Sequence, residues 1–533
     1  MLPPSKMKGM LTSCGVLAVA GAVFLAIVTI GLSDTRAAQL EMQSAPLPHP
    51  LASLEKFGFC DGNSCESCVS EHHVFGNCRW CEMTKSCHTL GSLLNKCSTA
   101  LHTDTWACQS KAYPYQMQSF VSDDQQSALQ FAFSIKGLIF GKDVPFPLVP
   151  AGRTLRYDVA TGNELKPGQR PAAAGPLKIG IAADWGAGTK EAAAVASLLG
   201  AFGAKHTVHM GDVYYVGDET DYKTNYFGVP PWPGGIGVEF PAGSVGHWPL
   251  VGNHEMLSHG TGIFDFAMPK AGIIKNGKAQ GMPTSFAALE TDAWRIVMID
   301  DSFNSYPSGI ISAAMDSMDI SSSCAMPDSE VDWLKTVISD PSDRRGIILL
   351  GHHNYRNAFG ASCKEHVEQL AKILPQGREI IWLYGHIHSF QMQNLKPASD
   401  KEPIAAWSRC VGNGGFTQEI KELLEEPKFN VDINQAWDRR VYRTLPITTN
   451  TGASSRQVAF NGYATLVLDG PKASFEYRTF ACDGDCTTGG PSFKKSTLLA
   501  SEEFTVNAAG NAKLTEQLIT ENLHSVAANK PTF

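Results

Sequence analysis

Five short motifs in the middle of the chain each end an apolar run with side chains that offer oxygen or nitrogen: Asp184-Trp185-Gly186, Gly211-Asp212-Val213-Tyr214-Tyr215, Gly252-Asn253-His254-Glu255, Gly351-His352-His353 and Gly385-His386-Ile387-His388. A single Asp or His at a strand end means little. Seven such donors, all at strand ends, point to metal ions. Asp184, Asp212, Asn253, His352, His386 and His388 mix hard oxygens with imidazoles. That mixture suits two ions about 3.5–4 Å apart, which clamp a phosphate ester, activate water between them and neutralise the departing oxygen. One carboxylate must bridge such a pair. Glycine beside each donor lets the chain turn sharply and approach the ions closely.

The elements that must position these donors begin at Leu177, where strands start to alternate with helices. Leu177–Ala183 is a short apolar run ending at Asp184, as a buried strand would be. Thr189–Leu199, rich in Ala and Leu, reads as the helix after it. Thr207–Met210 leads into Gly211-Asp212, and Trp248–Val251 into Gly252-Asn253-His254. Trp294–Ile299 is a further strand. A helix from about Glu330 puts Trp333, Leu334, Val337 and Ile338 on one face. Ile347–Leu350 leads into His352, a helix around Val367–Leu374 follows, and Glu379–Tyr384 leads into His386. Tyr463–Leu468 and Ala473–Phe480, joined around Asp469-Gly470, predict a hairpin. In a layered α/β fold ligands bind beyond the carboxyl ends of the strands, and all five motifs obey that rule.

The ordered set D-x-G, G-D-x-x-Y, G-N-H-E, G-H and G-H-x-H resembles the metallophosphoesterases, and within them the purple acid phosphatases. The resemblance spans roughly Leu177–Phe480. It implies an α/β (α+β) fold, a four-layer αββα sandwich, and hydrolysis of phosphate monoesters by attack of a metal-bound hydroxide. By position it implies an Fe(III) site of Asp184, Asp212, Tyr215 and His388. The second site, for Zn, Mn or Fe(II), would be Asn253, His352 and His386 with Asp212 bridging. The Tyr215 phenolate suits trivalent iron, and its charge transfer to iron gives that family its colour; its plain alternative is aromatic packing in Tyr214–Tyr226. His254 would hydrogen-bond the phosphoryl group and help protonate the leaving oxygen, or else only orient its neighbours. Fe(III) makes bound water acidic enough to work at low pH. The family also supplies a further histidine nine or ten residues after the fourth-motif ligand. Here Ala361 and Ser362 stand there, leaving His353 and His366 as substitutes; the plain reading of His366 is a solvated helix-end residue. A phosphodiesterase or nucleotidase on the same scaffold, or a cell-surface binding protein that keeps the domain as a scaffold, are the rival functions. His206 and His209, flanking a strand, read as structural.

At 533 residues the chain suggests about three units. Its 43% hydrophobic and 18% charged residues exclude a mainly disordered protein. A net charge of −8 provides no basic field for nucleic acid. Lys6 and Lys8 precede the uncharged apolar stretch Met10–Leu32, which reads as an entry signal for the secretory pathway. It is long enough to stay as an anchor with the rest of the chain outside the cytosol, while Ala37-Ala38 offers a cleavage exit. The expected product is secreted or anchored through this segment.

Fourteen cysteines agree with an oxidising compartment. Eight crowd into one loop-rich stretch: Cys60, Cys65, Cys68, Cys78, Cys81, Cys87, Cys97 and Cys108. They read as a disulfide framework rather than a zinc ribbon. With Cys78-Arg79-Trp80-Cys81 at its centre, the stretch resembles the plexin–semaphorin–integrin (PSI) module of cell-surface proteins. That resemblance implies the pairs Cys60–Cys78, Cys65–Cys108, Cys68–Cys87 and Cys81–Cys97, and a module that orients the catalytic domain or meets a protein partner. Cys482 and Cys486 read as a small disulfide. The organisation expected is a signal or anchor at 1–38, a linker at 39–58, the PSI-like domain at 59–110, a connecting region at 111–176, the catalytic domain at 177–482 and a C-terminal extension at 483–533.

Overall fold

A computed structural model of the chain describes residues 144–525 with breaks, the longer ones at 232–235, 306–322, 356–362 and 421–434, and the backbone of four short strands between residues 72 and 102. The apolar stretch Met10–Leu32, the linker at 39–58 and the cysteine pairing within Cys60–Cys108 lie outside the described residues. Among the described residues no helix is long and apolar enough to cross a membrane. In the cysteine-rich stretch, His72–His73, Gly76–Cys81, Ser86–Thr89 and Leu101–His102 form a small sheet, with Gly76–Cys81 antiparallel to both later strands.

The main body is built from two sheets of nine strands each among the described residues. The first runs Lys278–Ala279, Gly272–Lys275, Gly246–Pro249, His206–His209, Leu177–Ala182, Gly462–Asp469, Lys472–Cys482, Pro491–Val506 and Ala512–Ile519. The second runs His524–Ser525, Gln435–Trp437, Phe390–Gln393, Ala405–Val411, Glu379–Tyr384, Gly346–Leu350, Trp294–Met298, Ala287–Glu290 and Arg156–Asp158. The strands that precede the motifs are parallel: Leu177–Ala182, His206–His209 and Gly246–Pro249 in the first sheet, Gly346–Leu350 and Glu379–Tyr384 in the second. Their apolar runs are buried on both faces, as covered parallel sheets require.

Strand periodicity sorts these apolar residues into layers. Ile348, Leu350, Ile381 and Leu383 join Ile179, Ile181 and Leu466 in the core between the sheets. Their neighbours Ile347, Leu349, Ile380 and Trp382 face outward, against Trp333, Leu334 and Val337 of the Asp328–Ile338 helix and Val367 and Leu370 of the Glu365–Ala371 helix. On the first sheet the Lys190–Ala201 helix covers the outer face. A Cβ on Gly180 would meet Leu199 Cδ1 at 2.9 Å, so helix and strand touch there. Thr189 caps that helix by accepting the Ala192 amide, and Glu191 in the first turn suits its dipole. The result is the expected mixed α/β sandwich of helix, sheet, sheet and helices.

The hairpin expected around Asp469-Gly470 forms between Gly462–Asp469 and Lys472–Cys482. The first sheet does not stop at residue 482: Pro491–Val506 and Ala512–Ile519 extend it, and the stretch read as a connector contributes Arg156–Asp158 to the second sheet. Fully buried Arg409 of the second sheet pairs with Glu502 of the first, Nε to Oε2 at 2.8 Å, with Tyr477 donating to the same carboxylate at 3.0 Å. Cys482–Cys486 is a disulfide, and so is Cys324–Cys363.

Candidate metal centre

Each motif sits just beyond the carboxyl end of its strand, so the two sheets aim their donors at a common point. Asp184, Asp212 and His386 occupy the left-handed region, with φ of 53°, 69° and 66°. For non-glycine residues that conformation costs on the order of 1–3 kcal/mol, and strain of this kind gathers at functional sites. Gly211 is left-handed too (φ 86°), and a Cβ there would strike the Gly252 backbone at 2.7 Å and His352 Nδ1 at 2.8 Å. Only glycine lets these three motifs close on one another.

The donors fall into two groups. Asp184, Asp212 and His388 each bring one ligand atom within 4.8 Å of the others. The Tyr214 hydroxyl lies among them, 3.1 Å from Asp184 Oδ1, 3.2 Å from Asp212 Oδ2 and 2.9 Å from His388 Nε2. In the second group Asn253 Oδ1 is 2.9 Å from both His352 Nε2 and His386 Nδ1. Asp212 faces both: Oδ1 stands 3.4 Å from His352 Nε2 while Oδ2 faces the Tyr214 hydroxyl.

His254 lies at the rim of both groups. Its backbone amide donates to Asp212 Oδ1 at 3.1 Å, and Nδ1 donates to the Tyr215 carbonyl at 2.6 Å. Because a carbonyl only accepts, Nδ1 carries a proton and Nε2 is left facing Asp212 Oδ2 at 3.7 Å.

The phenol that reaches the carboxylates is therefore Tyr214's, one residue before the Tyr215 expected. Tyr215 packs in an apolar cluster with Ala187, Val216, Leu257 and Phe416, its ring edge-on to Phe416 at 6.2 Å. His366 is not a solvated helix-end residue: it is fully buried against Trp382, ring centroids 5.0 Å apart, because the Glu365–Ala371 helix turns its first residues onto the second sheet. His353 is also buried, 4.7 Å from the His386 ring, with Nδ1 at 2.9 Å from the Asp301 carbonyl. Ala361 and Ser362 lie outside the described residues. His206 and His209 are buried in aromatic surroundings; His206 Nε2 meets the Val159 carbonyl at 2.8 Å and Nδ1 accepts from Trp248.

Two supporting carboxylates escaped the motif reading. Glu255 accepts the amides of Asp212, Val213 and Gly252 at 3.1, 2.8 and 2.7 Å, tying the second motif to the third. Asp301 accepts the amides of His352 and His353 at 3.0 and 3.1 Å. The doublet Asp300-Asp301 closes the strand Trp294–Met298 just as Asp184 closes its own, and that was the available signal.

Burial, and then Asp212 beside it, push the Asp184 carboxyl well above the usual range. Burial alone would raise Asp212 as well, but His352, His254 and His386 pull it below its ordinary value. Burial lowers His352 to about 4 and also lowers His254, so both imidazoles are neutral near pH 7. Burial and Asp212 push Glu255 up to about 8. Adjacent buried carboxylates with neutral imidazoles and an amide oxygen are donor chemistry that two cations satisfy, and these residues fit such a pair.

A family model described as Calcineurin-like phosphoesterase matches residues 177–390, the stretch holding all five motifs. No curated protein matches the chain. Among solved structures, PhoD is similar at 9% identity with a TM-score of 0.37, over 67% of this chain and 74% of that one. The purple acid phosphatase PPD1 from yellow lupin (Lupinus luteus) seeds is similar at 13% identity with a TM-score of 0.33, over 62% of this chain and 54% of its own. A dimetal phosphatase from Danio rerio is similar at 10% identity with a TM-score of 0.30, over 62% of this chain and 99% of that one. The family match, on this sandwich, supports a phosphoesterase hydrolase.

Proposed function

We propose that the chain is an exported, acid phosphatase-like enzyme that hydrolyses phosphate monoesters with two metal ions. One observation carries the reading: Asp212 turns one carboxylate oxygen toward His352 and the other toward Tyr214, so a single side chain serves both donor groups. Asp184, Asp212 and His388 would hold the harder, trivalent ion, Fe(III), and Asn253, His352 and His386 would hold Zn, Mn or Fe(II). When bound, two such cations neutralise phosphate charge and activate water. The chain's own groups do the rest. The left-handed turns at Asp184, Asp212 and His386 fix donor direction before any ligand arrives. His254, with its Nδ1 proton committed to the Tyr215 carbonyl, presents Nε2 to the reaction side. Protonated there, it would donate to the leaving oxygen; burial opposes that protonation and Asp212 only partly offsets it, so acid favours the step.

Export rests on the apolar N-terminal stretch, retained as an anchor or removed as a signal, and on the cysteine usage. The PSI-like stretch would then meet a protein partner or orient the catalytic body. Turnover of p-nitrophenyl phosphate and of its bis-ester by the purified chain, together with its metal content, tests the reading. The expected result is two ions per chain and preference for the monoester. Preference for the diester would indicate a phosphodiesterase or nucleotidase, and two ions without turnover of either would indicate a binding protein.

A further inference from the structure

We infer a separate, sulfur-rich metal site outside the catalytic centre: once the Cys324–Cys363 disulfide is reduced, Cys324, Cys363, Glu365 and His366 form a ligand set for a soft divalent cation such as zinc. Cys324, Cys363 and His366 each bring one ligand atom within 4.8 Å of the others. Glu365 Oε2 lies 3.6 Å from Cys324 Sγ and 4.0 Å from Cys363 Sγ. Two thiolates, an imidazole and a carboxylate are donor types of a tetrahedral zinc site.

A disulfide accounts for the two sulfurs but not for what surrounds them. His366 is fully buried, and both of its ring nitrogens lack a hydrogen-bond partner among the described residues. Buried polar groups are rarely left in that state. The ring packs on Trp382, centroids 5.0 Å apart, and Nδ1 stands 3.6 Å from Asp301 Oδ2. A ligating imidazole uses such an outer carboxylate to fix its ring. Asp301 also accepts the His352 and His353 amides, so one carboxylate adjoins both sites.

The fold gathers the set from two places. Glu365 and His366 open the Glu365–Ala371 helix, with Cys363 just ahead of it. Glu365 Oε2 accepts the Cys324 amide at 3.0 Å, pinning a segment 39 residues away from Cys363 onto the head of that helix. Cys324 is fully buried and Cys363 only half-buried, so a thiolate of an external dithiol reaches Cys363 Sγ. The S–S bond breaks and Cys324 leaves as a thiolate that takes a proton. The reductant's second thiol then closes its own disulfide and frees Cys363, so two electrons pass from the dithiol to the pair. A divalent cation displaces the two thiol protons to solvent. Either link, disulfide or metal, ties Cys324 to the same helix, so the support around Asp301 is held in oxidising and reducing surroundings alike.

The test uses the full chain as wild type, His366→Leu and Cys324→Ser/Cys363→Ser, reduced with a phosphine that does not compete for zinc. The readouts are iodoacetamide labelling of Cys324 and Cys363 by peptide mass spectrometry, with and without added zinc, and the thiolate charge-transfer band with cobalt(II) as the probe. Other cysteines contribute equally to all three proteins, so the differences belong to this site. In reduced wild type, zinc is expected to shield both cysteines from label, and cobalt to give a stronger band than in either variant. His366→Leu should lose most of the shielding. Equal labelling with and without zinc, or equal shielding in wild type and His366→Leu, overturns the site. So does a disulfide that opens only after near-ultraviolet circular dichroism shows the chain unfolded. Should His366→Leu fail to fold, Glu365→Gln takes its place at an exposed position; weaker shielding there upholds the ligand set and undiminished shielding overturns it.

Discussion

The two halves of the candidate metal centre are assembled by different means. In the oxygen-rich half, Asp184 and Asp212 come from adjacent parallel strands of one sheet, and the Tyr214 hydroxyl meets both carboxylates from the turn that follows Asp212. In the nitrogen-rich half, Asn253 from the first sheet meets His352 and His386 from the second, so the donors come together only if the two sheets are correctly stacked. Most of the first half is thus a product of neighbouring strand ends, with His388 alone reaching in from the second sheet; the second half takes two of its three donors across the core between the sheets. The difference also sorts chemistry, since two carboxylates and a phenol favour a hard ion while imidazoles and an amide suit a borderline divalent one. Asp212 belongs to both halves.

The sharpest way to break this division is Asp212→Asn. Because one side chain serves both halves, turnover should fall by at least about a thousandfold, the upper scale of losing one electrostatic contact in a reacting site. Metal content should drop in both halves together. Near-normal kcat in a folded variant would remove Asp212 from its bridging place.

His352→Ala should separate the halves. It deletes a donor from the nitrogen-rich half alone, so metal content is expected to fall from two ions toward one and kcat by roughly a hundredfold. Equal loss of both ions would show that the halves are one cooperative unit. Asp301→Asn acts on the same half from behind. It weakens the acceptor that fixes the His352 and His353 amides, and such outer groups are worth about 10–100-fold in metal affinity. Titration of the divalent ion should show that loss with the first half unaffected; equal weakening of both ions would assign Asp301 a general structural role.

The same contrast explains what the chain disclosed on reading. Strands with both faces buried, such as Ile347–Leu350 and Glu379–Tyr384, have unbroken apolar runs, and the donors at their ends were legible because glycine marks each sharp turn. The phenol was less so. The motif spacing selects Tyr215, whereas the hydroxyl between the two carboxylates is that of Tyr214, whose ring stacks on Phe416, a contact between segments far apart in sequence. His366 was misread for a similar reason. Its helix is short and polar at its start, and its burial comes from a sheet and from Cys324, a neighbour brought in by the disulfide to Cys363. The strands after residue 482 carry polar residues on one face and announced themselves poorly, although they complete the first sheet.

The smallest effect concerns stability rather than turnover, and it tests whether the support behind the nitrogen-rich half depends on pH. His366 is buried beside Asp301, with Nδ1 3.6 Å from Oδ2, beyond hydrogen-bond reach. Burial lowers its pKa to about 4, against the opposing pull of Asp301, whereas in the unfolded chain it returns to about 6.5. The folded state therefore keeps His366 neutral while the unfolded state takes up a proton, so its stabilising contribution is complete above pH 6.5 and is lost as pH falls toward 4. At pH 5 that loss is about 2 kcal/mol. His366→Leu, close in size and without a titrating group, should shed this dependence, and the gap between variant and wild-type unfolding midpoints should shift in favour of the variant from pH 7 to pH 5. A gap that instead shifts in favour of the wild type from pH 7 to pH 5 would mean that His366 is charged in the fold and paired with Asp301. In that case acid would strengthen the wall behind His352 instead of loosening it.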